Sequence, residues 1–202
     1  MATEHAKSTN MGGEIDIYFE YSPIESITLS LGEEVSFANF LTPQEGVFDA
    51  TNTTFGITCT PHANIAMEAG YEFLYAHQNH MEHVVTLAAI PTVGFGDFEL
   101  YLKETAQMTH AVGADECSTS WQWVSELNLS YAIPQTLLSP YVYIEMTNPL
   151  EPAPISWYDE FCYGIGLDWE VSKHNTLGIY YEFSHTPDAL FHLIGIGYTL
   201  SI

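Results

Sequence analysis

Carboxylates dominate the side chains that could do chemistry. The chain carries 26 Asp and Glu against 3 Lys and Arg, a formal net charge of -23, and its cations are Lys7, Lys103 and Lys173, with no arginine. Glu14, Asp16, Glu20, Glu34, Glu68, Glu72, Glu99, Glu126, Glu145, Glu160, Asp168, Glu170 and Glu182 stand at alternate positions within apolar stretches, and Lys103 is the one lysine placed among them. Like charges gathered on one wall must be hydrated, partly protonated or balanced by cations. General acid and base work needs one distinguished pair, and so many equivalent carboxylates single out none. A solvated polar wall accounts for them more simply than a defined ion site.

Three other groupings offer chemistry and lose it on spacing. His77, His80 and His83 in AHQNHMEH, with Glu82, form the densest histidine cluster. Spacing of three suits neither one face of a strand nor the two-histidine face of a zinc helix, so a polar connection is expected and no metal. His5 belongs to the first residues, and His62 and His174 fall in turns. Ser184, His185 and Glu182 would supply a lipid-cleaving triad, but neighbouring strand residues point to opposite faces. His192 shares parity with Ile194 and Ile196 and reads as an interfacial side chain. Of the three cysteines, parity puts Cys59 outward and Cys162 inward, with Cys117 in a loop. That leaves neither a disulfide framework nor a paired-cysteine metal knuckle. No catalytic residue, enzyme activity or cofactor is expected.

The elements that must position these groups are strands. Ile15, Ile17, Phe19 and Tyr21 alternate with Glu14, Asp16, Tyr18 and Glu20; Phe161, Tyr163, Ile165, Leu167, Trp169 and Val171 alternate with Glu160, Cys162, Gly164, Gly166, Asp168 and Glu170. The same period of two runs from Ile65 to Tyr75 and from Leu177 to Phe183. Further strands are expected near 26–37, 53–60, 81–92, 95–109, 119–132, 137–147 and 190–202. Short turns (SPIES, TPHA, IPQ, SKHN) alternate with longer connections (LTPQEG, AVGADECSTS, NPLEPAPIS). This pattern predicts an all-β fold, an up-and-down antiparallel transmembrane β-barrel of about 10–12 strands. At 202 residues the chain is one domain over 13–202, with 1–12 read as a disordered leader.

The inward face follows from volume. Nearly every strand supplies large apolar side chains on one face, more than a closed barrel of this size can hold. The other face mixes carboxylates with Gly56, Gly70, Gly164, Gly166 and Gly178, small residues that suit a crowded concave interior. Aromatics such as Tyr21, Tyr75, Trp123, Tyr131, Trp169 and Tyr198 are expected near strand ends, where aromatic girdles meet lipid headgroups. The bulky face therefore points to lipid and the acidic face inward; a soluble acidic barrel is the alternative arrangement.

The charge balance excludes nucleic acid, whose phosphates require Lys and Arg to neutralise them. The 11 Phe, 13 Tyr and 4 Trp exclude a disordered acidic chain. Neither an apolar run long enough for a transmembrane helix nor a basic region followed by an apolar one, as in a signal peptide, is present.

The runs SPYVYIEMTN, FCYGIGLDWEVSKHNTLGIYYEF and FHLIGIGYTLSI, with the earlier AGYEFLY and WVSELNLSY, resemble the outer-membrane β-barrel family of domain of unknown function 2490, from about Glu14 to Ile202. The resemblance implies the outer membrane of a Gram-negative bacterium and no activity. The chain departs from that family's arginines, with Glu126 and Glu182 where cations are expected, and ends in Ile202 where many outer-membrane proteins end in Phe or Trp. A cation-preferring pore is the functional expectation, with membrane lipid or detergent around the apolar belt and small cations as solutes. A structural or interaction barrel, binding through loops 41–52, 110–118 and 148–157, and a lipid-modifying enzyme are the alternatives.

Overall fold

The computed structural model describes residues 8–37, 48–76, 80–113, 117–150, 158–187 and 189–202. Among these, every alternating stretch forms a strand and there is no helix. The strands are β1 (Ser8–Ile24), β2 (Ile27–Phe37), β3 (Ala50–His62), β4 (Ile65–Ala76), β5 (His80–Phe95), β6 (Phe98–Val112), β7 (Cys117–Tyr131), β8 (Leu138–Pro149), β9 (Glu160–Ser172), β10 (Asn175–His185) and β11 (Ala189–Ser201). Each pairs antiparallel with the next, and β1 pairs with β11 to close the barrel. With an odd number of strands the first and last run in the same direction, so the closing ladder is parallel.

That closing ladder corrects the expected domain boundary. It reaches Ser8, opposite Ala189, so residues 8–12 belong to the barrel wall rather than to a leader. Residues 1–7 lie outside the described residues, as do His5 and Lys7. The expected binding loops are shorter than their ranges. Ala50–Asn52 belong to β3, His110–Val112 to β6, Cys117 and Ser118 to β7, and Asn148 and Pro149 to β8. Of the remainder, 41–47, 114–116 and 151–157 lie outside the described residues.

Local chemistry explains the ends and the irregularities. Two-residue turns close the hairpins at 25–26, 63–64, 96–97 and 173–174. Gly96 has φ +66°, a left-handed conformation that glycine adopts without a Cβ clash. Bulges sit beside three of these turns, between Tyr21 and Ile24, Cys59 and His62, and Asn175 and Thr176. Pro91 is the one break inside a ladder: β5 pairs with β6 from Phe95 to Thr92 and again from Ala89, because a residue without an N–H cannot donate.

The burial pattern is inverted relative to a water-soluble domain. Ile17, Leu87 and Ile165 are 55%, 62% and 57% exposed, and large apolar side chains are exposed on every strand. The buried residues are mainly polar: Asp16, Thr86, Thr105, Asn128 and Ser184, against Val84, Ala88 and Cys162. This is the arrangement of a barrel solvated by hydrocarbon outside and by polar groups inside. Tyr21, Tyr75 and Trp169 are exposed toward strand ends as expected, whereas Trp123 lies in the middle of β7.

Glycines inside the barrel are seats for tyrosine rings. Tyr143 lies directly across from Gly164, and a Cβ there would come within 1.9 Å of the ring. Tyr180 covers Gly195 in the same way, at 2.0 Å. Tyr141 and Tyr18 repeat the pairing over Gly166 and Gly32. Cross-strand cover of this kind pins the register and restores contact that a glycine alone forfeits.

Three substitutions test this architecture by urea unfolding in lipid vesicles. Ile165→Arg, at the middle of the belt, should destabilise by about 2–4 kcal/mol, and Val171→Arg, near the strand end, by less. Gly164→Val must displace the Tyr143 ring and should cost about 1–3 kcal/mol, with retention of wild-type stability refuting the packing role.

Candidate functional site

The inner face gathers the carboxylates around two interior cavities. The first, about 480 Å³, is lined by Glu68, Glu72, Glu126, Glu145 and Glu160 together with Lys103, Thr86, Thr105, Gln107 and Gln122. The second, about 420 Å³, is bounded by Glu99, Glu126 and Asp168 with Tyr101, Tyr141 and Tyr143. Strand alternation puts these side chains on one wall, and barrel curvature brings non-neighbouring strands within reach of one another. Lys103 of β6 thus reaches across β5 to Glu68 of β4, Nζ to Oε1 at 2.8 Å.

Lys103 stands among more acids than it can neutralise. It lies opposite Glu126 in register, and Glu126 lies opposite Glu145 on its other side. Like charges directly across a ladder repel unless solvated or bridged.

Tyrosine hydroxyls supply much of the remaining satisfaction. Tyr101 donates to Glu126 at 2.6 Å and Tyr143 to Glu182 at 2.5 Å. The Tyr180 hydroxyl, with its single proton, lies within reach of both Glu14 and Asp16, the latter at 2.7 Å. Toward one end, Ser201 donates to Glu20 at 2.8 Å, and Glu170 is exposed close to the β9–β10 turn. A phenol gives a carboxylate a proton donor without giving it a counter-charge, so this wall can hold its acids in place and still attract cations.

The other groupings separate as follows. His80 and His83 are strand residues, not members of a connection, and point to opposite faces. His80 bonds Glu82 at 2.7 Å, while His83 takes the Tyr71 hydroxyl at 2.7 Å beside Phe73. His77 lies outside the described residues. Ser184 is buried across from Cys162 and His185 pairs with Phe161, with no bulge between them, so the two occupy opposite walls. His192 is on the outer face, bonded to the Tyr181 hydroxyl at 2.6 Å. Cys59 is exposed and Cys162 buried, in accord with parity. Cys117, expected in a loop, opens β7 opposite Val112, with its Sγ 3.3 Å from His110 Nε2.

Carboxylates outside the inner-wall set also find places: Asp159 lines the first cavity, and Glu33 on the outer face of β2 accepts from Thr53 Oγ1 at 2.7 Å. Glu104 lies on the outer face of β6 and accepts from Trp123 Nε1 at 2.5 Å and Ser125 Oγ at 2.7 Å. Its parity with Leu100 and Leu102, opposite to that of Lys103, carried the signal. An ionisable group on a lipid-facing wall has to find donors from the same wall, and Trp123 and Ser125 are those donors.

No family model matches the chain, and no curated protein sequence does. Solved structures do resemble it. A bacterial polysaccharide outer membrane secretin aligns with a TM-score of 0.53 at 9% identity, covering 87% of this chain and 63% of that one, so the chain spans less than two thirds of that protein's length. The β domain of the Bordetella autotransporter BrkA aligns with a TM-score of 0.52 at 11% identity, over 89% of this chain and 82% of that one. The translocator domain of the autotransporter NalP from Neisseria meningitidis gives 0.52 at 13% identity, over 85% and 72%. At such identities the likeness is one of fold, and the fold is the closed β-barrel seen in bacterial outer-membrane proteins.

Proposed function

We propose that this chain is an outer-membrane β-barrel of a Gram-negative bacterium whose acidic interior passes small cations in preference to anions. The quoted sequence runs support membership of the family of domain of unknown function 2490 within that reading. Membrane lipid is the partner of the apolar belt, and the reading assigns no catalytic step.

One observation carries it. The first interior cavity is walled by Glu68, Glu72, Glu126, Glu145 and Glu160, with Lys103 the one lysine on the inner face among the described residues. A wall of that sign inside a low-dielectric barrel concentrates cations and excludes anions. The tyrosines seated on Gly164, Gly166 and Gly195 favour a second reading, because rings packed inward narrow the interior. In that reading the barrel is a structural or interaction protein whose interior side chains block passage, as small barrels allow.

Planar-bilayer recording separates the two. Under a KCl gradient at pH 7 the reversal potential should report cation preference, and that preference should fade as the pH falls toward about 4, where carboxylates protonate. Exchanging Glu68, Glu126 and Glu182 for Gln should weaken the preference, whereas Lys103→Gln should strengthen it and lower stability by breaking the pair with Glu68. Anion preference at pH 7 would refute the reading, and absence of current would favour the blocked barrel.

A further inference from the structure

The β1–β2 ladder, next to the closing seam of the barrel, holds a cluster that neither cavity includes. Glu14 and Asp16 of β1 and Glu34 of β2 each bring a carboxylate oxygen to within 4.8 Å of the other two. Register accounts for this: Asp16 lies directly opposite Glu34, and Glu14 is the next residue along the same face of β1.

Acidic residues on a polar wall do not by themselves make a site, and a second observation distinguishes this group. Asp16 is 7% exposed. Its Oδ2 accepts the Tyr180 hydroxyl, while its Oδ1 is buried without a hydrogen-bond partner. Asn52, opposite Glu34 on β3, repeats the pattern: its Nδ2 donates to Glu72 at 3.4 Å, and its Oδ1 is buried without a donor. A buried acceptor left unpaired is costly, and an ionised one more so. Among the described residues no ammonium reaches this cluster, since Lys103 is engaged by Glu68 and Lys173 lies in the β9–β10 turn.

We propose that Glu14, Asp16 and Glu34 hold a calcium-sized divalent cation. The donors are all oxygen, which selects hard cations over zinc or copper. Calcium accepts an irregular set of carboxylate oxygens, whereas magnesium demands near-octahedral geometry and gives up its waters reluctantly. Such an ion would tie β1 to β2 one ladder away from the parallel β1–β11 seam. The inference rests on the cation-favouring interior proposed above and goes further by naming a seat and an ion class, so its test reads binding without current.

The probe is terbium, an oxygen-seeking ion close to calcium in size, added to the full chain folded in detergent micelles. Tyr180 lies against two of the three carboxylates and should sensitise its emission. The expected result is saturable tyrosine-sensitised emission from one site, displaced by calcium and only at about tenfold higher concentration by magnesium. Asp16→Asn and Glu34→Gln should each weaken binding about tenfold or more, and the pair Glu68→Gln and Glu126→Gln should leave it unchanged. Heat-modifiable gel migration confirms folding, and Glu34→Gln carries the test if Asp16→Asn does not fold. Emission that does not saturate, or that survives both substitutions at the cluster, overturns the site. Cation-selective current without terbium binding would sink the site alone, and terbium binding without current would sink the pore alone.

Discussion

Backbone pairing is the constraint on which the rest of the structure depends. Hydrocarbon offers no partner to an N–H or C=O, so a sheet surrounded by it has to close. Here closure joins β1 to β11 along a parallel ladder running from Ser8 opposite Ala189 to Glu20 opposite Ser201. That ladder draws the earliest described residues into the wall and leaves no free edge. Only the Pro91 break interrupts a ladder away from the turns.

Once the backbone is closed, the side chains face an inverted problem. Outside, apolar groups need no partners. Inside, acids outnumber cations, and the fold manages them with tyrosine rather than with arginine or lysine. A tyrosine needs room, and the glycine across the ladder supplies it: Gly164 makes space for the ring of Tyr143, whose hydroxyl then reaches Glu182 two strands away. Tyr180 over Gly195 serves Glu14 and Asp16 in the same manner. Packing, register and electrostatics are thus one device, and it leaves the wall negative.

The excess of carboxylates shows at particular ladders. Lys103 neutralises part of one cavity through Glu68, while Glu126 and Glu145 face each other across β7 and β8. The same excess creates the cluster at the β1–β2 ladder, where Asp16 Oδ1 is buried and unpaired. Carboxylates thus recur around the inner wall, and at the β1–β2 ladder three of them meet.

The sequence by itself determined which residues share a face. Strict alternation makes Ile15 and Ile179 outward and Glu14 and Glu182 inward whatever the strands pair with, because successive side chains of a strand point oppositely. The same rule separated Ser184 from His185. It failed where a boundary depended on a partner: Ser8–Gly12 became strand because β11 pairs with them, and Cys117 because Val112 does. Strand number, the parallel seam, Tyr143 over Gly164, and the meeting of Glu14, Asp16 and Glu34 were decided only by the tertiary structure. Each depends on register between segments that local periodicity leaves free to slide, and register is settled only when the whole ring closes with its hydrogen bonds paired.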